Sequence, residues 1–196
     1  MNAARQMLQD FIVKDLGECM LFLKHITNIN LVEIAPDGCP IILGRAWIDN
    51  ADVVGPLRSR DRGRKAETHH YELAVNVSVG RKVSVKRWII TQFVEKYSVA
   101  QNHLEKRLGR SSLAPNMAAE KLLPHVALAF PLTDRDENAL PFVGRLFTLL
   151  PLPIFTGFPL HINAVLAHTS SRQNLRSTAD AVKGSPEESV VLQFFG

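Results

Sequence analysis

The residues of this chain that could do chemistry are scattered, and none falls into a catalytic spacing. Its seven histidines (His25, His69, His70, His103, His125, His161, His168) include no H-E-x-x-H pair, and none is set beside cysteines at zinc-ligand intervals. Cys19 and Cys39 form neither a disulfide framework nor a metal spacing; both lie among apolar neighbours and read as buried, reduced thiols. There is no G-x-x-x-x-G-K-[ST] phosphate loop, no G-x-G-x-x-G and no G-x-S-x-G nucleophile elbow. His168 and Ser170 are close in sequence, but a triad needs geometry that spacing alone does not supply. The expectation is a chain that is not an enzyme by itself, with no cofactor and no metal site.

Two groups of polar residues remain. One is a basic cluster, Arg58, Arg60, Arg62, Arg64 and Lys65, crowded around Asp61 and followed further on by Arg81, Lys82, Lys86 and Arg87. Like charges this close repel, so 58–65 is expected to be an exposed loop, either simply solvated or seeking phosphate. The other group is Arg145, His161, Asn163 and Arg172. A guanidinium makes paired, charge-assisted hydrogen bonds to carboxylate or phosphate, so these residues could face a partner. Equally, His161 and Asn163, two apart on one strand, could satisfy buried loop carbonyls.

The elements that must position these groups follow from periodicity and punctuation. Met7, Leu8, Phe11, Ile12 and Leu16 recur at helical spacing within 1–23, with Gly17 a stop or a weak point. Strands at 26–34 and 39–48 flank Pro36-Asp37-Gly38, a turn signal that predicts a hairpin. Residues 49–68, charged and broken by Gly55, Pro56 and Gly63, read as a linker. Tyr71 to Val79 alternates cleanly and predicts a strand paired through Gly80-Arg81 with 83–93. Helices are expected at 98–108 and 114–123, and a short strand at 126–130. Strands at 142–150 and 159–167 should then enclose a turn stiffened by Pro151, Pro153 and Pro159. The sum is an α+β fold with a mixed, mostly antiparallel sheet and helices packed on one face.

With 196 residues, a formal charge of +4 and 46% hydrophobic residues, the chain is the size of one domain with enough apolar content for a core. The positive excess is too mild to require nucleic acid. No apolar run approaches a membrane span and the first residues lack a signal-peptide pattern, so an intracellular, cytoplasmic location without membrane association is expected.

The run from Gly144 carries a resemblance. Gly144-Arg145, Phe147, Leu150-Pro151-Leu152-Pro153, Thr156-Gly157, Pro159, His161, Asn163, Ser170 and Arg172 follow a pattern G-R-x-F-x-x-L-P-L-P, T-G-x-P-x-H-x-N-G, S-x-N-R-R. This resembles the sacsin family of giant chaperone-like proteins, and HVALAFPL (125–132) and, loosely, CMLFLKHITNI (19–29) share in the likeness. Ala164 replaces the pattern's last glycine, and Ser171 and Gln173 depart from its exit. The resemblance implies the segment downstream of a heat-shock-chaperone-type ATPase domain, over 1–176, with 177–196 a C-terminal extension. No motif of that ATPase domain is present, so the implied role is a non-enzymatic, chaperone-type protein-interaction module, a fragment or truncated relative lacking its ATP-binding half. Its partner would be a client protein or an ATPase domain, with Arg145, His161, Asn163 and Arg172 facing that partner or sensing nucleotide. The alternative is an adaptor for an anionic partner through basic loops 58–65 and 81–87.

Overall fold

The computed structural model describes residues 3–59, 66–108, 125–132 and 142–164. Within them the chain runs α1 (Ala3–Lys14), α2 (Leu16–Cys19), β1 (Asn28–Ile34), β2 (Pro40–Ile48), α3 (Ala51–Ser59), β3 (Glu67–Val79), β4 (Lys82–Val94), α4 (Tyr97–Leu108), β5 (His125–Leu132), β6 (Arg145–Thr148), β7 (Leu150–Phe155) and β8 (His161–Ala164). The strands form one sheet in the order β1-β2-β3-β4-β5-β8-β6-β7. Every pairing is antiparallel except β6 with β8, so the expected α+β class with a mixed, mostly antiparallel sheet holds.

The turns that build the sheet are those the sequence announces. Asp37 Oδ1 accepts the Cys39 N–H at 2.9 Å and Gly38 takes φ 83°, closing the β1–β2 hairpin. Gly80 takes φ 60° at the first position of the two-residue β3–β4 loop, a conformation that glycine reaches without steric cost. One face of the sheet is buried under helices. Strand residues Ala46, Ile48, Leu73, Val75, Trp88, Ile90, Ala127, Ala129 and Phe147 share a core with Ile12, Leu16, Met20, Leu21, Phe22 and Val54.

Four local expectations need correction. The N-terminal helix breaks at Asp15, and Gly17 sits inside α2, where a Cβ would lie 2.8 Å from Val77 Cγ2; the glycine lets α2 lie flat on the sheet. Residues 51–59 are a helix rather than part of a linker, despite Pro56. Val54 and Arg58, four apart on one helical face, are both buried, and tertiary packing here outweighs the proline and glycine. Cys39 is exposed, while Cys19 is buried as expected.

The fourth correction concerns the proline-rich segment, which is itself a strand. The chain reverses at Leu149 (φ 69°), so that Thr148 pairs with Leu150 and the prolines run back along β6 in β7. Because β7 is the last of the described strands in the sheet, one side of its backbone pairs with no other described strand and Pro151 and Pro153 are tolerated. The expected second strand is reduced to β8 among the described residues. The expected helix at 114–123, the pair His168 and Ser170, and the extension 177–196 lie outside them.

Candidate functional site

Arg145, His161 and Asn163 come together at the β6–β8 edge, and each is bonded inward. Gly144 begins the arrangement. Its N–H donates to Phe158 O at 2.8 Å, its carbonyl accepts from Thr156 N at 2.9 Å, and a Cβ built on it would lie 1.6 Å from Leu160 O. Only glycine lets the two chain segments approach this closely. Thr156 Oγ1 accepts the Phe158 N–H at 3.1 Å and lies 3.2 Å from the carbonyls of Phe158 and Leu160, while Gly157 takes φ 74°. This loop sets the position of β8, and with it His161.

His161 is fully buried. Its Nδ1 accepts the Arg145 backbone N–H at 3.0 Å, so the ring proton sits on Nε2. The ring stacks on Trp88 (centroids 5.1 Å, 30°) and meets Phe142 and Phe147 edge-on, each at 4.9 Å. Nε2 points towards Glu18 Oε1 at 3.6 Å, too far for a hydrogen bond and close enough for electrostatic attraction. Asn163, also buried, accepts the Leu149 N–H through Oδ1 at 2.7 Å and holds the left-handed residue of the β6–β7 reversal. The two side chains thus satisfy backbone N–H groups, where the sequence suggested carbonyls.

Arg145 carries the charge of the cluster. Nη1 donates to Asp15 Oδ1 at 2.5 Å and to Glu18 Oε2 at 3.3 Å, and Nε donates to Leu152 O at 3.2 Å. The link ties the α1–α2 junction to the far edge of the sheet. Burial alone would raise the Glu18 carboxyl, but the His161 ring, Arg145 and Lys86 outweigh it and hold the group below its ordinary value. The Cys19 thiol is pushed up to about 11 by burial and then by Asp15 and Glu18, which leaves it unreactive. With two carboxylates around one guanidinium, the cluster has no excess positive charge to offer an anion.

The basic cluster is not assembled as expected. Arg58 is 2% exposed and its Nη2 donates to Met20 O at 2.7 Å and to Leu23 O, so it is a buried residue of α3 rather than a member of a solvated loop. Arg60, Arg62, Arg64, Lys65 and Arg172 lie outside the described residues. Arg81, Lys82, Lys86 and Arg87 are exposed on the β3–β4 hairpin, with Arg87 Nε 3.9 Å from Glu72 Oε1.

Two features have little or no signal in sequence. Asp15 and Glu18 partner Arg145 across more than a hundred residues, and no local pattern announces such a pair. The other is the outer face of β4 and β5, opposite the helices. Trp88, Ile90, Gln92 and Val94 point inward, so alternation turns Ile89 and Phe93 outward, and the register sets Phe130 of β5 beside Ile89 and Leu132 beside Arg87. Ile89, Phe93, Phe130 and Leu132 are all exposed, with Val83 and Val85 nearer the hairpin end. Alternation over 83–93 was the available signal, but it leaves open which face the helices cover.

Among the described residues no group of three His, Cys, Asp or Glu could hold a metal ion, and no helix is long and apolar enough to cross a membrane. Comparison with family models, with curated proteins and with solved structures returns no match.

Proposed function

We propose that this chain is a non-enzymatic protein-interaction module of the chaperone type, similar to the segment downstream of the ATPase domain in a sacsin-type repeat. The observation that carries this reading is the row of exposed apolar side chains on β4 and β5: Ile89, Phe93, Phe130 and Leu132 on a face no helix covers among the described residues. Contiguous apolar surface of this kind gains free energy when another protein surface removes it from water. The inward bonding of Arg145, His161 and Asn163 points the same way, because it commits the most chemically capable side chains of the motif to holding the fold.

The test is light scattering from a heat-unfolding model client such as citrate synthase, with and without the chain, alongside Mg-ATP binding. The chain should suppress client aggregation, and the Ile89→Lys/Phe130→Lys double variant should lose most of that effect, since both residues are exposed enough to change without disturbing the core. Raising ionic strength should leave the suppression largely intact. Suppression that survives the double variant but collapses in salt would sink the reading in favour of an anionic partner at the basic hairpin. Saturable ATP binding, or no suppression at all, would also count against it.

A further inference from the structure

Behind α3, on the helix-covered side of the sheet, lies a polar cavity that the interaction reading does not use. Its floor is the inner face of β3, β4 and β5, through Tyr71, Gln92, His125 and Ala127; its roof is Leu21, Phe22 and Lys24 after α2, with Arg58 from α3. The space measures about 220 Å³ counted out to its mouth, and the closed part admits only about one water-sized body.

Three buried nitrogens line this space without a protein hydrogen-bond partner: Arg58 Nη1, Gln92 Nε2 and His125 Nε2. Arg58 and Gln92 are 2% and 4% exposed, so open solvent does not serve them. The guanidinium's other nitrogen, Nη2, is spent on the carbonyls of Met20 and Leu23. Among the described residues no carboxylate lines the cavity. Among the described residues the buried Arg58 guanidinium faces neutral groups, the Tyr71 hydroxyl included, and with N–H donors gathered beside it this is an environment that an anion stabilises and a water only partly satisfies.

We infer that this cavity is a binding site for a small monovalent anion, of chloride or formate size, held by Arg58 Nη1 and Gln92 Nε2 with His125 Nε2 completing the ring. The closed part suits a chloride, or one oxygen of a formate whose remainder lies towards the mouth, and the bulkier sulfate, phosphate esters and larger carboxylates fit it less well. The bound anion would fasten α3 and the turn after α2 to the centre of the sheet, so it acts on stability.

Thermal unfolding of the full chain at constant ionic strength tests this directly, in chloride, formate, sulfate and gluconate. At a hundredfold excess over Kd, chloride and formate should each raise Tm by about 5–10 °C over gluconate, with sulfate equal to gluconate. In parallel, the chain should broaden the chloride-35 NMR line, and formate should sharpen it again by competition. Arg58→Met should abolish the broadening. Because that change also removes the bonds to Met20 and Leu23, Gln92→Leu is the second variant: it keeps those bonds and should cut the broadening at least tenfold. Equal Tm in all four salts, or broadening that formate cannot reverse, would overturn the site. So would broadening undiminished in Gln92→Leu.

Discussion

Asn163 shows how a residue that looks functional in sequence is used structurally. Its Oδ1 is bonded to the N–H of Leu149, a non-glycine residue at φ 69° in the reversal between β6 and β7. Asn163→Leu removes the acceptor and leaves that N–H in a partly buried place, so urea unfolding should show a loss of about 1–3 kcal/mol. Asn163→Asp, which still accepts the bond, should lose less. If the Leu variant were as stable as the parent, the reversal would be held by something other than this bond. His161 has the same character: its Nδ1 is bonded to a strand N–H and its ring is packed among Trp88, Phe142 and Phe147. These two motif residues are thus engaged in backbone satisfaction and packing.

At the scale of elements, the β6–β7–β8 unit depends on one close approach. Gly144 is the point where the chain before β6 touches the loop before β8, with hydrogen bonds in both directions to Phe158 and Thr156. A Cβ there meets the Leu160 carbonyl, which is backbone and cannot swing away as a side chain would. Gly144→Ala should destabilise by more than about 3 kcal/mol or prevent folding, seen as a lower urea midpoint or as loss of near-ultraviolet dichroism. A variant with an unchanged midpoint would mean the two segments part more easily than their bonds imply. Gly157→Ala, with open space around its Cβ but φ 74°, should cost less, about 1–2 kcal/mol from the backbone alone. The same unit explains why prolines sit in a strand: β7 is the edge, and an edge tolerates residues without an N–H.

For the whole molecule, two partly buried titratable groups among the described residues shape the response to acid. Burial, followed by Lys24, pushes His125 from 6.5 down to about 4 in the folded chain. Between those values the unfolded state binds a proton that the folded state does not, so stability is full above pH 6.5 and falls as pH drops towards 4. The loss should be on the order of 2–3 kcal/mol, discounted because the imidazole is only partly enclosed. Glu18 acts lower: its folded value lies below its ordinary 4.5, so its contribution is present above 4.5 and disappears as pH falls through the folded value. Urea midpoints from pH 8 to 3 should show both steps. His125→Phe should flatten the upper step and Glu18→Gln the lower one; an unchanged upper slope in His125→Phe would assign that step to another group.

Local order was determined by the sequence alone. The hairpin at Pro36-Asp37-Gly38 and the β3–β4 hairpin through Gly80 follow from turn chemistry and alternation, which act over a few residues and need no distant partner. The α+β class follows from the same local signals added along the chain. What only the tertiary structure decided involves long-range partners. Residues 51–59 became a helix because Val54 and Arg58 find a buried face, although Gly55 and Pro56 argue locally for a break. The proline-rich run became a strand because it lies at the sheet's edge. Arg145 met Asp15 and Glu18, and Arg58 was drawn from an expected solvated loop into the core. A charge or a proline in a sequence has a local preference, but its final environment depends on which distant surface the fold sets against it, and that surface is not written nearby.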